Sequence, residues 1–589
     1  EVRNGHDAYV RPQNSACFIQ SVPDNISGIL EHGKKEGMLF KYGSGTGSNV
    51  SDIRGVNEPL SGGGVSSGVM SFLPIQDKTA GSIKSGGTTR RAAKMVRMDV
   101  NHSDIFRFVG WKAEEEQKAL QLCKDPKYDR RNQGDLDAEA YKTVEGQNGN
   151  NSVGISDAFM EALSNDGEWD LWYRTADKVG EEVEIPLSEY KDDRSLPDRQ
   201  FILKTTNKRK TVRSTDLWNY IVRAATINAE PGLQFDDTIN RWHTCKESGR
   251  INASNPCSEY FFIDDSACNL ASINLKNFRK LTPSGDDFRT KTPSGAGASM
   301  RGNLESRVGG SVSLEQAEGE GSLNYLGVLV DGEDGQKRNV SLEDYVSGFD
   351  VSGYLHAVNL NIISQEALVD QSSYPSREIA QNSHDFRPLG LGFGNLGALL
   401  MSYGIPYDSD AGRTLAGALT SLMTAQAYKT SALMAKEVGA FNGFEKNKES
   451  MLEVMGMHRD ASRDIDASNL PKSLEGIVSV ANGLWDEVAV LGEQYGFRNS
   501  QVTVIAPTGT IGFKMDFDTT GVEPVSVFGA QKGLSGGGTY HIPIPASVGE
   551  GLGSLGYSPE EVTPILEYLN EQNDPKRKER VVATMKGAP

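Results

Sequence analysis

The amino-acid sequence lacks a hydrophobic run long enough to cross a membrane. Its most apolar stretch, residues 389–401, contains Asn395 and is shorter than the roughly 20 residues that a spanning helix needs. The start of the chain also lacks an initiator Met and the apolar core of a signal peptide. We therefore expect a cytoplasmic protein without a membrane partner, whose true N-terminus is missing.

Cysteine is scarce in this chain. Its 589 residues include five cysteines, an odd number that does not fit the disulfide framework of a secreted protein. Functional thiols in a reducing compartment are the better interpretation. His243 and Cys245 are spaced like part of a metal site, but no second pair lies at ligand spacing, so we predict no metal.

The sequence has no excess of positive charge. Lys and Arg number 61 against 79 Asp and Glu, which gives a formal charge of −18. A nucleic-acid groove needs a basic face, so we expect no nucleic-acid partner. A small phosphate site is still compatible with this charge, because backbone N–H groups and a few cations are enough to build one.

Glycine is abundant, yet the common glycine-rich phosphate motifs are absent. The tract 43–91 contains no P-loop, and no strand-turn-helix unit carries a dinucleotide fingerprint. Its glycines would let backbone amides approach an anion, and its cations include Lys84, Arg90 and Arg91. Flexible surface loops are the alternative interpretation of such a tract.

Periodicity predicts several elements between the motifs. Helical patterns cover residues 157–164, 214–229 and 409–437, and Val502 to Ala506 reads as a buried strand. Residues 281–342 are rich in Gly, Ser and charge, which indicates a surface insertion. The length suits several domains or one large α/β barrel.

The stretch Asn255-Pro256-Cys257-Ser258-Glu259 is the strongest chemical signal. In an extended or tightly looped backbone, alternate residues project to the same side, so Asn255, Cys257 and Glu259 could face one substrate. An amide, a thiol and a general base on one side suit radical chemistry at a sugar carbon. The alternative is a cysteine buried as a small hydrophobe beside a solvated glutamate.

Seven segments in order resemble the ribonucleotide reductases, specifically the catalytic chain of the adenosylcobalamin-dependent class II enzymes. The matching segments are residues 15–18, 45–49, 84–94, 255–260, 266–270, 386–392 and 506–512. They cover nearly the whole chain apart from the insertion. The resemblance implies a single domain over residues 1–589. It would be a ten-stranded α/β barrel made of two antiparallel halves of five parallel strands, with a central finger loop that carries the radical cysteine.

The resemblance also implies a role for five residues. Cys257 would carry the thiyl radical, Glu259 would take the proton of the 3′-hydroxyl, and Asn255 would hold the substrate hydroxyls. Cys17 and Cys268 would supply a proton and two electrons as the 2′-hydroxyl leaves, and would end as a disulfide.

Binding residues and partners follow from the same resemblance. Substrate contacts are expected at Ser15, Ala16, Pro507, Thr508, Gly509, Thr510 and Ile511. Contacts to a deoxynucleotide or ATP effector at a homodimer interface are expected at Asp24, Arg54, Lys84, Arg90 and Arg91. For Asp24 alone, a helix N-cap is the alternative. The cofactor would be adenosylcobalamin, and an external thioredoxin-like dithiol would be the reductant, because the family's C-terminal Cys-x-x-Cys tail is not in the sequence.

The predicted function is therefore the reduction of ribonucleotides, with diphosphates favoured, to 2′-deoxyribonucleotides for DNA synthesis. One alternative is the large subunit of a class I reductase, which needs a radical-generating partner. The amino-acid sequences of residues 84–94 and 506–524 favour class II. A second alternative is a non-catalytic nucleotide-binding relative.

Overall fold

A computed structural model describes most of the chain. The described residues are 12–83, 92–125, 127–128, 139–174, 183–186, 202–205, 209–280, 313–316, 325–331, 337–525, 528, 530–533, 539–542 and 544–572. The chain forms two compact units, the first of residues 1–269 and 371–384, and the second of residues 270–370 and 385–589. The prediction of one barrel domain stays a prediction.

Twenty strands occur among the described residues. In chain order they are β1 (Cys17–Ile19), β2 (Gly45–Asn49), β3 (Val56–Pro59), β4 (Val65–Ser67), β5 (Lys94–Asp99), β6 (Gly149–Ile155), β7 (Glu168–Trp172), β8 (Val183–Pro186), β9 (Ile202–Thr205), β10 (Arg209–Arg213), β11 (Gly232–Phe235), β12 (Ala253–Ser254), β13 (Phe261–Phe262), β14 (Ser266–Asn274), β15 (Ser313–Gln316), β16 (Tyr325–Asp331), β17 (Lys337–Ser341), β18 (Leu389–Gly394), β19 (Ala530–Gly533) and β20 (Thr539–Ile542).

Seventeen α-helices accompany them in the same ranges. They are α1 (Ile26–Lys41), α2 (Leu73–Ser82), α3 (Ile105–Leu122), α4 (Glu139–Thr143), α5 (Asp157–Ser164), α6 (Ser214–Asn228), α7 (Asp236–Arg241), α8 (Leu342–Tyr345), α9 (Val351–Gln371), α10 (Arg377–Phe386), α11 (Leu396–Ser402), α12 (Asp410–Val438), α13 (Phe444–Arg463), α14 (Lys472–Tyr495), α15 (Gly509–Lys514), α16 (Ala546–Ser554) and α17 (Pro559–Gln572). None of these helices combines the length and apolarity needed to cross a membrane.

The first unit is built on a largely parallel sheet. Its strand order is β11-β6-β5-β2-β1-β14. The pairs from β11 to β1 are all parallel, whereas β14 runs antiparallel to β1. The fold is therefore α/β with a mainly parallel sheet, which confirms the predicted fold class.

The two faces of the sheet differ in chemistry because alternate strand residues point to opposite sides. On one face, Val96 and Met98 of β5 belong to a buried apolar cluster that includes Phe108 of α3 and Ile221 of α6. That burial drives the helices onto this face. The other face includes Gly45, Gly47 and Gln234, and it is the face that contacts the functional loop described below.

The helical patterns are confirmed and the predicted strand at 502–506 is wrong. Helix α5 is capped by Ser156, whose hydroxyl accepts from the Phe159 amide at 3.2 Å. Residues 502–506 form a single isolated bridge, between Thr503 and Leu391 of β18. The bridge rests on the Val504 amide donating to the Leu391 carbonyl at 2.9 Å and the Leu391 amide donating to the Val502 carbonyl at 3.0 Å. Pro507, which ends the segment, has no N–H to donate to a sheet.

The described part of the predicted insertion is a small antiparallel sheet. Strands β15, β16 and β17 pair in that order. The rest of residues 281–336 lies outside the described residues, so the surface insertion stays a prediction.

Candidate active site

The segment that carries Asn255, Cys257 and Glu259 is a short hairpin in the first unit. Strands β12 and β13 pair antiparallel, with Ala253 opposite Phe262. The tip closes through a hydrogen bond from the Asn255 amide to the carbonyl of residue 260 at 3.1 Å. We call residues 253–262 the cysteine hairpin. Its tip is the loop that the sequence singled out.

The cysteine hairpin lies directly against β2, where glycines make room for it. A Cβ atom built on Gly47 would lie 1.7 Å from the carbonyl oxygen of Ser254, and one on Gly45 would lie 2.8 Å from Cγ of Pro256. The side chain of Asn150 on β6 donates to the Pro256 carbonyl at 2.9 Å. The interpretation of residues 43–49 as a flexible loop or an anion-binding loop is therefore wrong at β2, where the glycines admit a hairpin.

Asn255 is held in one orientation by the hairpin backbone. Its Oδ1 accepts from the amides of Glu259 at 3.2 Å and Tyr260 at 3.0 Å. The other end of the carboxamide, Nδ2, is consequently directed at Sγ of Cys17, 3.0 Å away. Since Oδ1 is already engaged, Nδ2 is the end of Asn255 that can meet a ligand.

Cys17 and Cys268 lie directly opposite each other on β1 and β14. Opposed residues of an antiparallel pair have Cα atoms about 4.5–5.5 Å apart, within the roughly 4.4–6.8 Å that a disulfide spans. Both thiols are buried. The thiol of Cys268 donates to the Asn269 carbonyl at 3.2 Å. The fold thus places together two cysteines that are far apart in sequence.

Burial and a nearby carboxylate keep both opposed thiols protonated. Burial raises the pKa of Cys17 well above its usual value, the charge of Glu259 raises it further, and the Asn255 amide lowers it. For Cys268, burial and then Glu259 also raise the pKa. At neutral pH the pair is therefore two neutral thiols, the form that can give up hydrogen.

Glu259 contacts the thiol pair with one carboxylate oxygen and leaves the other without a partner. Sγ of Cys17 lies 3.7 Å from Oε1, and the buried Oε2 has no hydrogen-bond partner among the described residues. An unpaired buried acceptor is costly unless something occupies it. Oε2 is thus placed to accept a proton from a bound hydroxyl.

Cys257 differs from the other cysteines in being exposed. It lies at the tip of the cysteine hairpin, and its charge would also raise the pKa of Cys17. The structure therefore brings Asn255, Glu259 and the thiol pair together and presents Cys257 beside them. Among the described residues, no group of three or more His, Cys, Asp or Glu side chains is arranged to hold a metal ion.

The predicted substrate residues fall in both units. In the first unit, Ser15 is buried. Ala16 is exposed, and its backbone amide donates to the Cys268 carbonyl on β14. In the second, α15 begins at Gly509 after Thr508 in the left-handed region at φ 55°. Thr508 Oγ1 accepts from the Gly521 amide at 2.7 Å, which fixes the position of that hydroxyl oxygen. The other predicted members of this turn are exposed: Pro507, Gly509, Thr510 and Ile511.

Two of the predicted effector residues form an ion pair. Arg54 Nε lies 2.8 Å from Asp24 Oδ2, and the Arg54 amide donates to Oδ1 of the same carboxylate at 3.2 Å. The N-cap alternative for Asp24 is wrong, because Asn25 caps α1 by accepting from the Gly28 amide at 2.8 Å. The remaining three lie outside the described residues: Lys84, Arg90 and Arg91.

Sequence reasoning missed the polar side chains that brace the hairpin tip. Gln234 on β11 donates through Nε2 to the hydroxyls of Ser254 at 2.8 Å and Ser258 at 3.2 Å. No sequence pattern singled out Gln234, because only the fold shows which loop its side chain reaches.

The chain matches a family model described as "Ribonucleotide reductase, barrel domain" over residues 15–300 and 336–586. It is 40% identical to the vitamin B12-dependent ribonucleotide reductase of Agrobacterium fabrum over 95% of this chain and 43% of that protein. Identity is also 40% to the protein of the same name from Rhodopirellula baltica, over 99% of this chain and 45% of that one. A vitamin B12-dependent ribonucleoside-diphosphate reductase of Mycobacterium tuberculosis is 26% identical, over 89% and 52%. The chain thus spans about half the length of these curated relatives.

Proposed function

The chain belongs to the ribonucleotide reductase barrel-domain family, and on that basis we propose that it reduces ribonucleotides to 2′-deoxyribonucleotides with adenosylcobalamin. The observation that carries the proposal is the site itself. Opposed Cys17 and Cys268 meet Asn255 and Glu259, and Cys257 is exposed at the hairpin tip. The name of the Mycobacterium tuberculosis relative favours ribonucleoside diphosphates as substrates.

We propose that the sheet is one half of a ten-stranded barrel and that the cysteine hairpin is its central finger loop. The parallel run from β11 to β1 supports this architecture. The contact of Gly47 with Ser254 supports a hairpin that lies against the inside of a closed sheet.

In the proposed reaction Cys257 works as a thiyl radical. It removes hydrogen from C3′ of the ribose, while Glu259 Oε2 accepts the proton of the 3′-hydroxyl and Asn255 Nδ2 donates to a substrate hydroxyl. The 2′-hydroxyl leaves as water with a proton from the thiol pair. Overall, one ribonucleotide and the two thiols of Cys17 and Cys268 give one deoxyribonucleotide, one disulfide and one water.

The exposure of Cys257 fits a large cofactor, because a bulky group can reach this thiol without opening the core. When bound, adenosylcobalamin supplies the radical that oxidises a thiol. The chain's part is to present that thiol beside Glu259 and the thiol pair. The relatives' names include vitamin B12 dependence, which favours this cofactor over a radical-generating subunit.

The disulfide that forms must be reduced again for a second turnover. We propose an external thioredoxin-like dithiol, which is the chemistry of thiol–disulfide exchange. The cytoplasm, where such proteins keep thiols reduced, is the compartment we propose for this chain.

We propose that the 507–511 turn and the 15–16 segment contact the substrate. The first turn of α15 leaves backbone N–H groups without intrahelical partners, which suits a phosphate. For the effector we propose Asp24 and Arg54, whose ion pair lies next to hairpin β3–β4, together with Lys84, Arg90 and Arg91.

A homodimer through α1 and α2 is part of the same proposal. Three large apolar side chains on these helices are mostly solvent-exposed: Ile26, Leu30 and Ile75. An apolar surface on two adjoining helices suits a second copy of the same surface.

The test is an anaerobic assay of each of the four ribonucleotides, as diphosphate and as triphosphate, with adenosylcobalamin and dithiothreitol but no second subunit. Deoxynucleotide should form with the unaltered chain and fall to background in Cys257→Ala, with nucleotide binding retained. Cys123→Ala, a change at a buried cysteine of another cluster, is the matched control. Without dithiol, each molecule of the unaltered protein should form at most one deoxynucleotide, with the loss of two free thiols. Turnover in Cys257→Ala would refute the radical assignment.

A further inference from the structure

The residue after Cys257 has an unusual backbone. Ser258 lies in the left-handed region at φ 60°, which a side chain with a Cβ adopts rarely. Its backbone conformation sets the orientation of the peptide that joins it to Cys257. Something must therefore hold Ser258 in place if the Cys257 thiol is to keep one position.

Three side chains form a closed hydrogen-bond network around that turn. The Gln234 Nε2 amide reaches the hydroxyls of Ser254 at 2.8 Å and Ser258 at 3.2 Å, and the two hydroxyls lie 3.2 Å apart. The Ser254 hydroxyl donates to the Asn255 carbonyl at 2.9 Å. A consistent assignment of the hydrogens uses both Gln234 Nε2 hydrogens, with Ser258 donating to Ser254 and Ser254 donating to the Asn255 carbonyl.

This network braces the turn on both sides of the cysteine. It ends at the carbonyl of Asn255, two residues before Cys257, and at Ser258, directly after it. Gln234 and Ser254 are buried, with exposed fractions of 3% and 0%. Water therefore cannot replace the bonds readily, and the network is anchored on β11 rather than on the cysteine hairpin itself.

We propose that Gln234 is a positioning residue that acts through Ser254 and Ser258 to hold Cys257 in its exposed orientation. The inference rests on the proposed function for the role of Cys257, but the geometry that it describes does not need a cofactor. When the network is removed, Ser258 relaxes toward negative φ, and the Cys257 thiol moves with it.

Two substitutions at Ser258 separate the hydroxyl from the backbone. Ser258→Ala loses the hydroxyl and keeps the Cβ that disfavours positive φ, whereas Ser258→Gly loses the hydroxyl and adopts positive φ freely. A displacement of about 1 Å can cost about 100-fold in rate. We expect Ser258→Ala and Gln234→Leu to lower kcat about 10-fold to 100-fold with KM nearly constant, and Ser258→Gly to recover most of that loss.

A second measurement reports the thiol without any turnover. Cys257 is exposed and the four other cysteines are buried, so iodoacetamide alkylation followed by peptide mass spectrometry monitors it selectively. We expect Ser258→Ala and Gln234→Leu to change the alkylation rate of Cys257 at least about 3-fold, since thiol reactivity follows exposure and environment. Ser258→Gly should stay near the unaltered rate, and melting curves show that each variant is folded.

The double variant tests whether Gln234 acts through Ser258. If it does, Gln234→Leu adds nothing to kcat or alkylation in the Ser258→Gly background. Equal effects of Ala and Gly at position 258, no effect of Gln234→Leu, or fully additive effects would overturn the proposal. Alkylation rates in the expected order in a chain with no cobalamin-dependent turnover would overturn the proposed function alone.

Discussion

Replacing Gly47 with alanine should displace the cysteine hairpin. Gly47 lies in β2 without a positive φ, so its backbone would tolerate any residue. The obstacle is contact alone, because a Cβ there would lie 1.7 Å from the Ser254 carbonyl oxygen. The substitution therefore adds one methyl group at the point where the hairpin rests on the sheet.

The magnitude follows from that distance. Real Cβ atoms essentially never approach a heavy atom within 3.0 Å, so the carbonyl or β2 must move by about 1.3 Å. Overpacking of this kind costs roughly 1–3 kcal/mol of stability. A shift above 1 Å at a reacting group can cost about 100-fold in rate. We expect Gly47→Ala to lower the melting temperature and to reduce turnover at least about 100-fold.

Gly149→Ala is the matched control for this experiment. Gly149 lies in β6 of the same sheet, and a Cβ there meets its nearest atom, the Lys94 carbonyl oxygen, at an ordinary 3.8 Å. Both variants are assayed for melting temperature, Cys257 alkylation and deoxynucleotide formation. Gly47→Ala with the stability and activity of Gly149→Ala would refute the placement of the hairpin against β2.

Two pH predictions have opposite signs. Burial raises the pKa of Asp264 to about 6, so the free energy of unfolding should fall as the pH rises from about 4 to 6, by roughly 3 kcal/mol. Asp264→Asn, which can still accept from Asn252, should flatten that slope in melting curves; an unchanged slope contradicts the assignment. Burial lowers the pKa of His458 to about 4, so this residue costs stability as the pH falls from 6.5 to 4. His458→Phe keeps an aromatic ring stacked on Trp485. The melting temperature of this variant should fall less between pH 7 and pH 5 than that of the unaltered chain; an equal fall would contradict the assignment.

Sequence periodicity located the long helices because their signals are local. The predicted helix at 409–437 is α12, Asp410–Val438, whose start is fixed by Ser409 accepting from the Gly412 amide. Apolar spacing and a capping residue lie within one segment, so both can be read without the rest of the chain. The same reasoning failed at 502–506, where apolar residues indicated a strand but the segment pairs with β18 through one bridge only.

Predicting the candidate site needed information that no local pattern contains. Cys17 and Cys268 are opposed because β1 and β14 pair, and the residues alone gave no reason to join them before the resemblance was considered. The contact of Gly47 with the hairpin is equally long-range. A glycine-rich stretch predicts freedom of the backbone, and only the packed fold shows that the freedom serves a close approach.

The cysteine hairpin ties Cys257, which we propose as the radical position, and the thiol pair to one turn. Asn255 directs Nδ2 at Cys17 only while its Oδ1 accepts hydrogen bonds from the amides of Glu259 and Tyr260. The Glu259 carboxylate contacts Cys17 from the same turn. A small movement of the tip therefore changes the amide, the carboxylate and Cys257 together. Stability depends on the whole core, whereas these contacts depend on one loop. Perturbations that reach the loop, such as Gly47→Ala or Ser258→Ala, should for this reason reduce activity by a larger factor than their cost in stability would suggest.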